Sequence, residues 1–88
     1  MKIEVLGPGC HKCHELDKRT REVVKELNID ANVEFIQDID KIIEYSILFT
    51  PGLVINGNLV SSGKVLSKKE IGKLVLSVLN QKDDSKKK

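Results

Sequence analysis

The stretch GPGCHKCH, residues 7–14, follows the first apolar run of the chain and overlaps the start of a segment, residues 10–27, whose apolar residues recur at helical spacing. Glycine and proline end a strand in a turn, so the stretch predicts a strand before it and a helix that begins at the cysteines. It also holds both cysteines and both histidines of the chain. Three kinds of site are therefore open here: a metal site, a haem attachment site, or a dithiol that exchanges electrons.

The rest of the chain alternates strand and helix signals. Residues 33–36 predict a second strand, and Asp38 predicts the N-cap of a short helix. The isoleucines that this helix is expected to bury are Ile39, Ile42, Ile43 and Ile47. Residues 53–61 form two apolar runs around Asn56-Gly57, which predicts a β-hairpin, and residues 67–79 begin with a capping box and continue as a helical apolar stripe. The predicted order is β-α-β-α-β-β-α.

This order predicts an α/β fold with a mixed sheet. Two strands joined through a helix favour a parallel pair with a right-handed crossover, whereas the Asn-Gly turn requires an antiparallel pair. We therefore expect a four-stranded mixed sheet that is covered by helices on both faces.

Length and charge limit the function classes. The 88 residues suffice for one small domain, expected at 1–81, and residues 82–88 are expected to be a charged, disordered tail. This tail accounts for the whole formal net charge of +2, so the neutral body lacks the basic surface that nucleic acids need. Glu4 interrupts the first apolar run, which argues against a signal peptide and a membrane span. We expect a cytoplasmic protein, in which paired cysteines are catalytic, redox-sensing or metal-binding.

The spacing of the cysteines suits reversible disulfide formation. With Cys10 at the first helical position, Cys13 lies one turn further on the same face, and modest tightening of that turn permits a disulfide. Cys10 lies beside the unpaired amides and positive dipole end of the helix, which favour its thiolate. Lys12 adds a positive charge, and His14 is expected to hold the anion or relay a proton. We predict that Cys10 attacks a substrate disulfide and that Cys13 resolves the mixed disulfide.

A second motif, TPGLVING at residues 50–57, together with the turn and C-x-x-C of residues 7–13, resembles the small thioredoxin-like, glutaredoxin-sized "redox-active disulfide" proteins. The resemblance implies a minimal thioredoxin fold and a cis peptide bond between Thr50 and Pro51 beside the dithiol. It also implies that the Thr50 backbone pairs with an extended substrate segment and that Pro51 lies against the sulfurs. The missing side chain of Gly52 would leave room for a bulky protein substrate.

Further expectations follow from this resemblance and from the residues that depart from it. We expect a monomer that acts on protein disulfides, has a separate reductase as electron donor, and carries no cofactor beyond the Cys10–Cys13 disulfide. Residues 61–64 keep only the glycine of the glutathione-binding segment of glutaredoxins, so glutathione is not the expected partner. Glu4 occupies the position of the buried acid of thioredoxins. It would accept the proton of Cys13, or, alternatively, reach solvent at the strand edge.

Two rival interpretations use the same residues. Cys10, Cys13 and His14 match the C-x-x-C-H haem attachment pattern, but the single methionine is Met1 and aromatic residues for a haem pocket are scarce. Zinc or copper(I) could bind Cys10, Cys13 and a histidine, although copper carriers of this kind have Met where Pro8 stands. We therefore expect a dithiol–disulfide oxidoreductase without a metal site, and a soft-metal carrier is the alternative.

Overall fold

The computed structural model describes residues 1–47 and 49–87, with side chains described up to residue 79. The elements along the chain are β1 (Lys2–Leu6), α1 (His11–Glu26), β2 (Asn32–Ile36), α2 (Ile39–Glu44), β3 (Gly52–Ile55), β4 (Asn58–Ser62) and α3 (Lys68–Lys87). This order confirms the one predicted from the sequence. The expected tail, residues 82–88, falls outside the described side chains and stays a prediction.

The four strands form one mixed sheet in the order β2-β1-β3-β4. β1 pairs with β2 in parallel and with β3 antiparallel, and β3 and β4 form the antiparallel hairpin. At the end of β1, Leu6 pairs with Ile36 on one side and with Gly52 on the other. The segments that follow β1 and β2 and the segment that precedes β3 therefore meet at one edge of the sheet.

Helices cover both faces of the sheet, because the side chains of β1 alternate between them. Ile3 and Val5 belong to the larger core, which joins the sheet to α1 and α3, whereas Leu6 packs with Ile42 of α2 on the opposite face. The buried residues of the larger core are Ile3, Val5, Leu16, Val23, Leu53, Ile55, Leu66, Ile71 and Val75. Within the described residues, no helix is both long and apolar enough to cross a membrane.

Helix α1 is held in place by polar contacts as well as by its apolar stripe. Thr20 fills a buried position on that stripe, and its hydroxyl donates to the carbonyl of Leu16 at 2.8 Å, which satisfies a polar group away from water. Arg19 donates to Glu15 at 2.9 Å and to the carbonyl of Leu66 at 3.0 Å. This arginine therefore ties α1 to the segment that leads into α3.

Helix α2 buries fewer residues than its sequence predicts. Ile42 is 5% exposed, but Ile39 and Ile43 are 54% and 63% exposed, so the expectation that these two are buried is wrong. The helix has only six residues and presents one narrow side to the sheet, and neighbouring helical positions point about 100° apart. Ile47, beyond the helix, is half-buried against the smaller core.

The two adjacent isoleucines of α2 give a matched test of this packing. Ile42→Ala is expected to lower the free energy of unfolding by about 2–4 kcal/mol, because it leaves a cavity in the smaller core. Ile43→Ala is expected to change it by less than about 0.5 kcal/mol, because the side chain is already in water. Urea unfolding of both variants measures the difference, and equal losses would contradict the described orientation of α2.

Candidate active site

Cys10 lies immediately before α1, at the edge of the sheet where β1 ends. The helix begins at His11, one residue later than predicted, and Cys10 is its N-cap with extended backbone angles, φ −72° and ψ 169°. The carbonyl of Cys10 accepts a hydrogen bond from the backbone N–H of His14 at 3.1 Å. The first turn contains no acidic residue. An exposed thiol thus lies beside the free amides of the helix start, with no carboxylate in that turn to repel its anion.

Cys13 lies one turn further along the helix and is completely buried. Its sulfur is 2.8 Å from the sulfur of Cys10, and both cysteines are free thiols. Thus an exposed thiol and a shielded thiol are in direct contact. This is the arrangement that sequential thiol–disulfide exchange needs, with one sulfur open to a substrate and the other within reach of the first.

The surroundings shift the pKa values of the two thiols in opposite directions. The pKa of Cys10 is lowered, first by a hydrogen bond from the Cys13 side chain and next by the backbone of Cys13, with a smaller contribution from the backbone of Lys12. Cys10 makes no regular side-chain capping bond, yet these amides still favour its thiolate. The pKa of Cys13 is raised, first by burial and next by its hydrogen bond with Cys10. Cys10 is therefore the thiol that ionises first.

The contacts of Lys12 and His14, the two residues expected to tune Cys10 by side-chain charge, are of other kinds. Lys12 contributes through its backbone, and its side chain is exposed. The ring of His14 lies edge-on against the ring of Phe35 in β2, with centroids 5.1 Å apart and an interplanar angle of 88°. Among the described residues, no hydrogen bond joins His14 to either sulfur. The amides were expected from the position of Cys10 at the helix start, but the hydrogen bond from the Cys13 thiol, which is the largest cause, was not.

Glu4 is buried and is hydrogen-bonded to Tyr45. It is 8% exposed and accepts a hydrogen bond from the hydroxyl of Tyr45 at 2.8 Å. Because Ile3 and Val5 face α1, Glu4 between them faces α2, on the side of the sheet away from Cys13. Exposure at the strand edge does not fit this position, and the role of proton acceptor for Cys13 stays a prediction. The hydrogen bond to Glu4 raises the pKa of Tyr45, with burial as a further cause.

The Thr50–Pro51 segment reaches the same edge of the sheet as the dithiol. The peptide bond between these residues is cis. Pro51 is buried and Thr50 is exposed. Gly52, the next residue, pairs with Leu6, which is the last residue of β1 before the turn into α1. The register therefore places Thr50 and Pro51 near the chain reversal that carries the cysteines.

Gly52 does not open space for a substrate. A Cβ atom at this position would lie 2.3 Å from Cδ1 of Ile47, so the isoleucine side chain already fills the volume that the glycine leaves. The expectation that this glycine makes room for a bulky substrate is wrong. Its missing side chain serves the packing of the smaller core instead.

Gly7 is a site residue that the sequence indicated only as part of a turn. It is buried, and a Cβ atom there would lie 2.2 Å from the sulfur of Cys13 and 2.8 Å from its Cβ. Gly9 differs, because its φ of +104° favours glycine and the side-chain amide of Gln37 occupies the adjacent space. The doublet of glycines around Pro8 was the available signal, but it could not distinguish a conformational role from a spatial one.

Cys10 and Cys13 also define what this site offers to a metal. Within the described ranges, no group of three or more His, Cys, Asp or Glu residues is placed to hold a metal ion. The dithiol supplies two thiolate ligands, whereas structural zinc sites use four protein ligands. The metal interpretation therefore lacks the third ligand that a histidine was expected to give.

Alkylation kinetics test the ionisation of Cys10. Its half-maximal rate with iodoacetamide, followed by peptide mass spectrometry, is expected at a pH below the roughly 8.5 of free cysteine. Cys13→Ala should move this midpoint upward, because it removes the hydrogen bond that lowers the Cys10 pKa most. Lys12→Gln is the control: it keeps the peptide amide, and the midpoint should move by less than about 0.5 pH unit. A larger shift in Lys12→Gln than in Cys13→Ala would contradict this account.

Comparison with known proteins agrees with the fold and the dithiol. The Thioredoxin domain family profile matches residues 1–76. The chain is 47% identical to a thioredoxin of Methanothermobacter thermautotrophicus over 75 residues, which cover 85% of this chain and 97% of that protein. It is 34% identical to a thioredoxin of Methanocaldococcus jannaschii over 80 residues, which cover 91% and 92%. Because these matches span the sheet and both cysteines, the chain belongs to the thioredoxin family.

Proposed function

We propose that this protein is a thiol–disulfide oxidoreductase that reduces disulfide bonds of other proteins with its Cys10–Cys13 dithiol. The observation that carries the proposal is the contact between an exposed thiol of lowered pKa and a buried thiol of raised pKa, 2.8 Å away. Relatives named thioredoxin support the reaction class. The absence of a third metal ligand within the described residues leaves the carrier alternative without a supporting observation.

The first step uses the exposed thiol. The Cys10 thiolate attacks one sulfur of the substrate disulfide, so a Cys10–substrate bond forms and the substrate S–S bond breaks. The displaced substrate sulfur leaves with the bonding electron pair and takes a proton from solvent. Peptide amides at the start of α1 favour the attacking anion without the need for a charged side chain.

The second step uses the buried thiol. Cys13 loses its proton and attacks the sulfur of Cys10, so the Cys10–Cys13 bond forms and the Cys10–substrate bond breaks. The substrate leaves as a second thiol, having gained two electrons and two protons in total. Because Glu4 faces the other side of the sheet, we assign the Cys13 proton to the departing substrate thiolate or to water. Ionisation of Cys13 becomes easier once Cys10 is bound in the mixed disulfide and no longer carries a charge.

The residues around the dithiol indicate the kind of substrate and electron donor. Thr50 is exposed next to buried Pro51, and its backbone hydrogen-bonds to an extended segment of a protein substrate. A reductant must then return two electrons to the Cys10–Cys13 disulfide. We propose a protein dithiol for this role, since residues 61–64, SSGK, keep only one residue of the segment that binds glutathione in glutaredoxins.

Trapping the intermediate tests the order of the two cysteines. Cys13→Ser is expected to accumulate a mixed disulfide between Cys10 and a protein disulfide substrate such as insulin, because the first step proceeds and the second does not. Cys10→Ser should form none, since the remaining thiol is buried and has a raised pKa. Non-reducing electrophoresis with peptide mass spectrometry identifies the adduct. Adducts on Cys13 instead of Cys10 would reverse the assignment.

The redox potential gives an independent test. Hydrogen bonds that stabilise the Cys10 thiolate stabilise the reduced protein, which makes the disulfide more oxidising. We therefore expect a potential less negative than the roughly −270 mV of thioredoxin. Equilibration with dithiothreitol or glutathione buffers, followed by alkylation and mass analysis, measures it. A value well below that of thioredoxin would contradict the role given to the Cys10 anion.

A further inference from the structure

We propose that Gly7 is a positioning residue of the dithiol. Because it has no side chain, it leaves free the space that the Cys13 sulfur occupies when it contacts Cys10. This inference rests on the proposed function and adds to it a residue that acts through Cys13. Gly7 lies between the end of β1 and Pro8, three residues before the nucleophile. It lies against Cys13 and takes no part itself in bond making or bond breaking.

The geometry at Gly7 leaves no room for a methyl group. A Cβ atom would lie 2.2 Å from the sulfur and 2.8 Å from the Cβ of Cys13, whereas ordinary contacts of this kind are 3.4–4 Å. To relieve the overlap, the sulfur would have to move by about 1 Å, since close-packed interiors do not absorb such contacts. The neighbouring backbone has little freedom to yield, because the Gly7 N–H donates to the carbonyl of Ile36 at 3.0 Å and thereby fixes the turn to β2.

The requirement for glycine at this position is spatial and not conformational. Gly9 and Gly63 have φ angles of +104° and +76°, and a residue with an L side chain would be strained at these angles. Gly7 is not among the residues of positive φ. Alanine therefore fits the backbone at this position, and its effect reports on contact with Cys13 rather than on the turn.

Displacement of the Cys13 sulfur has two chemical consequences. In the second step of the reaction, the Cys13 sulfur must approach Cys10 from the side opposite the bond between Cys10 and the substrate. A misplaced Cys13 sulfur therefore slows formation of the Cys10–Cys13 bond and release of the substrate thiolate. In the resting dithiol, the hydrogen bond from Cys13 to Cys10 weakens. That hydrogen bond is the largest cause of the lowered Cys10 pKa, so the Cys10 pKa rises when the bond weakens.

The reagent 5,5′-dithiobis(2-nitrobenzoate) separates the two steps in one experiment. Attack by Cys10 releases one thionitrobenzoate, and attack by Cys13 on the resulting mixed disulfide releases a second, so absorbance shows two phases. Gly7→Ala is expected to slow the second phase by roughly tenfold to a hundredfold, as misplacement by about 1 Å slows a positioned reaction. The pH midpoint of Cys10 alkylation is expected to rise in the same variant.

Gly72→Ala is the matched control for the same chemical change. Gly72 lies in α3, and the nearest atoms to a Cβ there are 3.8 and 3.9 Å away, on Leu27 and Val23. Both phases of thionitrobenzoate release and the alkylation midpoint should therefore keep their wild-type values in this variant. Gly7→Ala with wild-type second-phase kinetics and an unchanged midpoint would overturn the inference.

A second comparison tests the same contact through stability, for the case in which Gly7→Ala folds but is strongly destabilised. Cys13→Ala removes the sulfur and with it the shorter of the two overlaps, so the drop in thermal midpoint caused by Gly7→Ala should be smaller in the Cys13→Ala background than in the wild type. An equal drop in both backgrounds would assign Gly7 to the turn and overturn the inference. The proposed function fails in a different way: the wild-type protein would then release no second thionitrobenzoate.

Discussion

The contact between the sulfurs of Cys10 and Cys13 joins two environments that differ in access to water. One thiol is exposed before the first helical turn, where peptide N–H groups lack partners. The other is sealed beneath that turn, where an anion is unfavourable. Because each thiol is the hydrogen-bond partner of the other, the contact lowers the pKa of Cys10 and raises that of Cys13. The asymmetry that orders the two steps therefore comes from a single junction between strand and helix.

That junction depends on the central position of β1 in the sheet. Pairing of Leu6 with both Ile36 and Gly52 brings three chain segments to one edge. The segment after β1 carries the dithiol, the segment after β2 begins at Gln37, and the segment before β3 carries Thr50 and Pro51. The parallel β1–β2 pair also sends α1 back across the sheet, and Cys13 lies on the buried side of this helix. The topology thus assembles the site without any long loop.

Much of this architecture was predictable from local patterns. Strand alternation, the Asn56-Gly57 turn and the apolar stripe of α1 gave the right element order, and the C-x-x-C spacing predicted the close approach of the two sulfurs. The errors concern which neighbour a side chain meets. The faces of Ile43 and Glu4 depend on the helix and strand packing against them, and the space at Gly52 depends on Ile47. The helix-start amides that favour the Cys10 thiolate were predicted, whereas the hydrogen bond from Cys13, the largest cause of the lowered Cys10 pKa, was not.

The single-turn spacing of the two cysteines has a consequence for how the fold responds to oxidation. A cross-link between residues so close in the chain closes a very short loop and removes little freedom from the unfolded ensemble, far less than a bond between distant segments. Meanwhile the rest of α1 is anchored independently, through Arg19 and the buried stripe. The disulfide therefore contributes little to the stability of the fold. We expect the oxidised and the reduced protein to share one architecture, so that a pair of electrons is gained or lost without refolding.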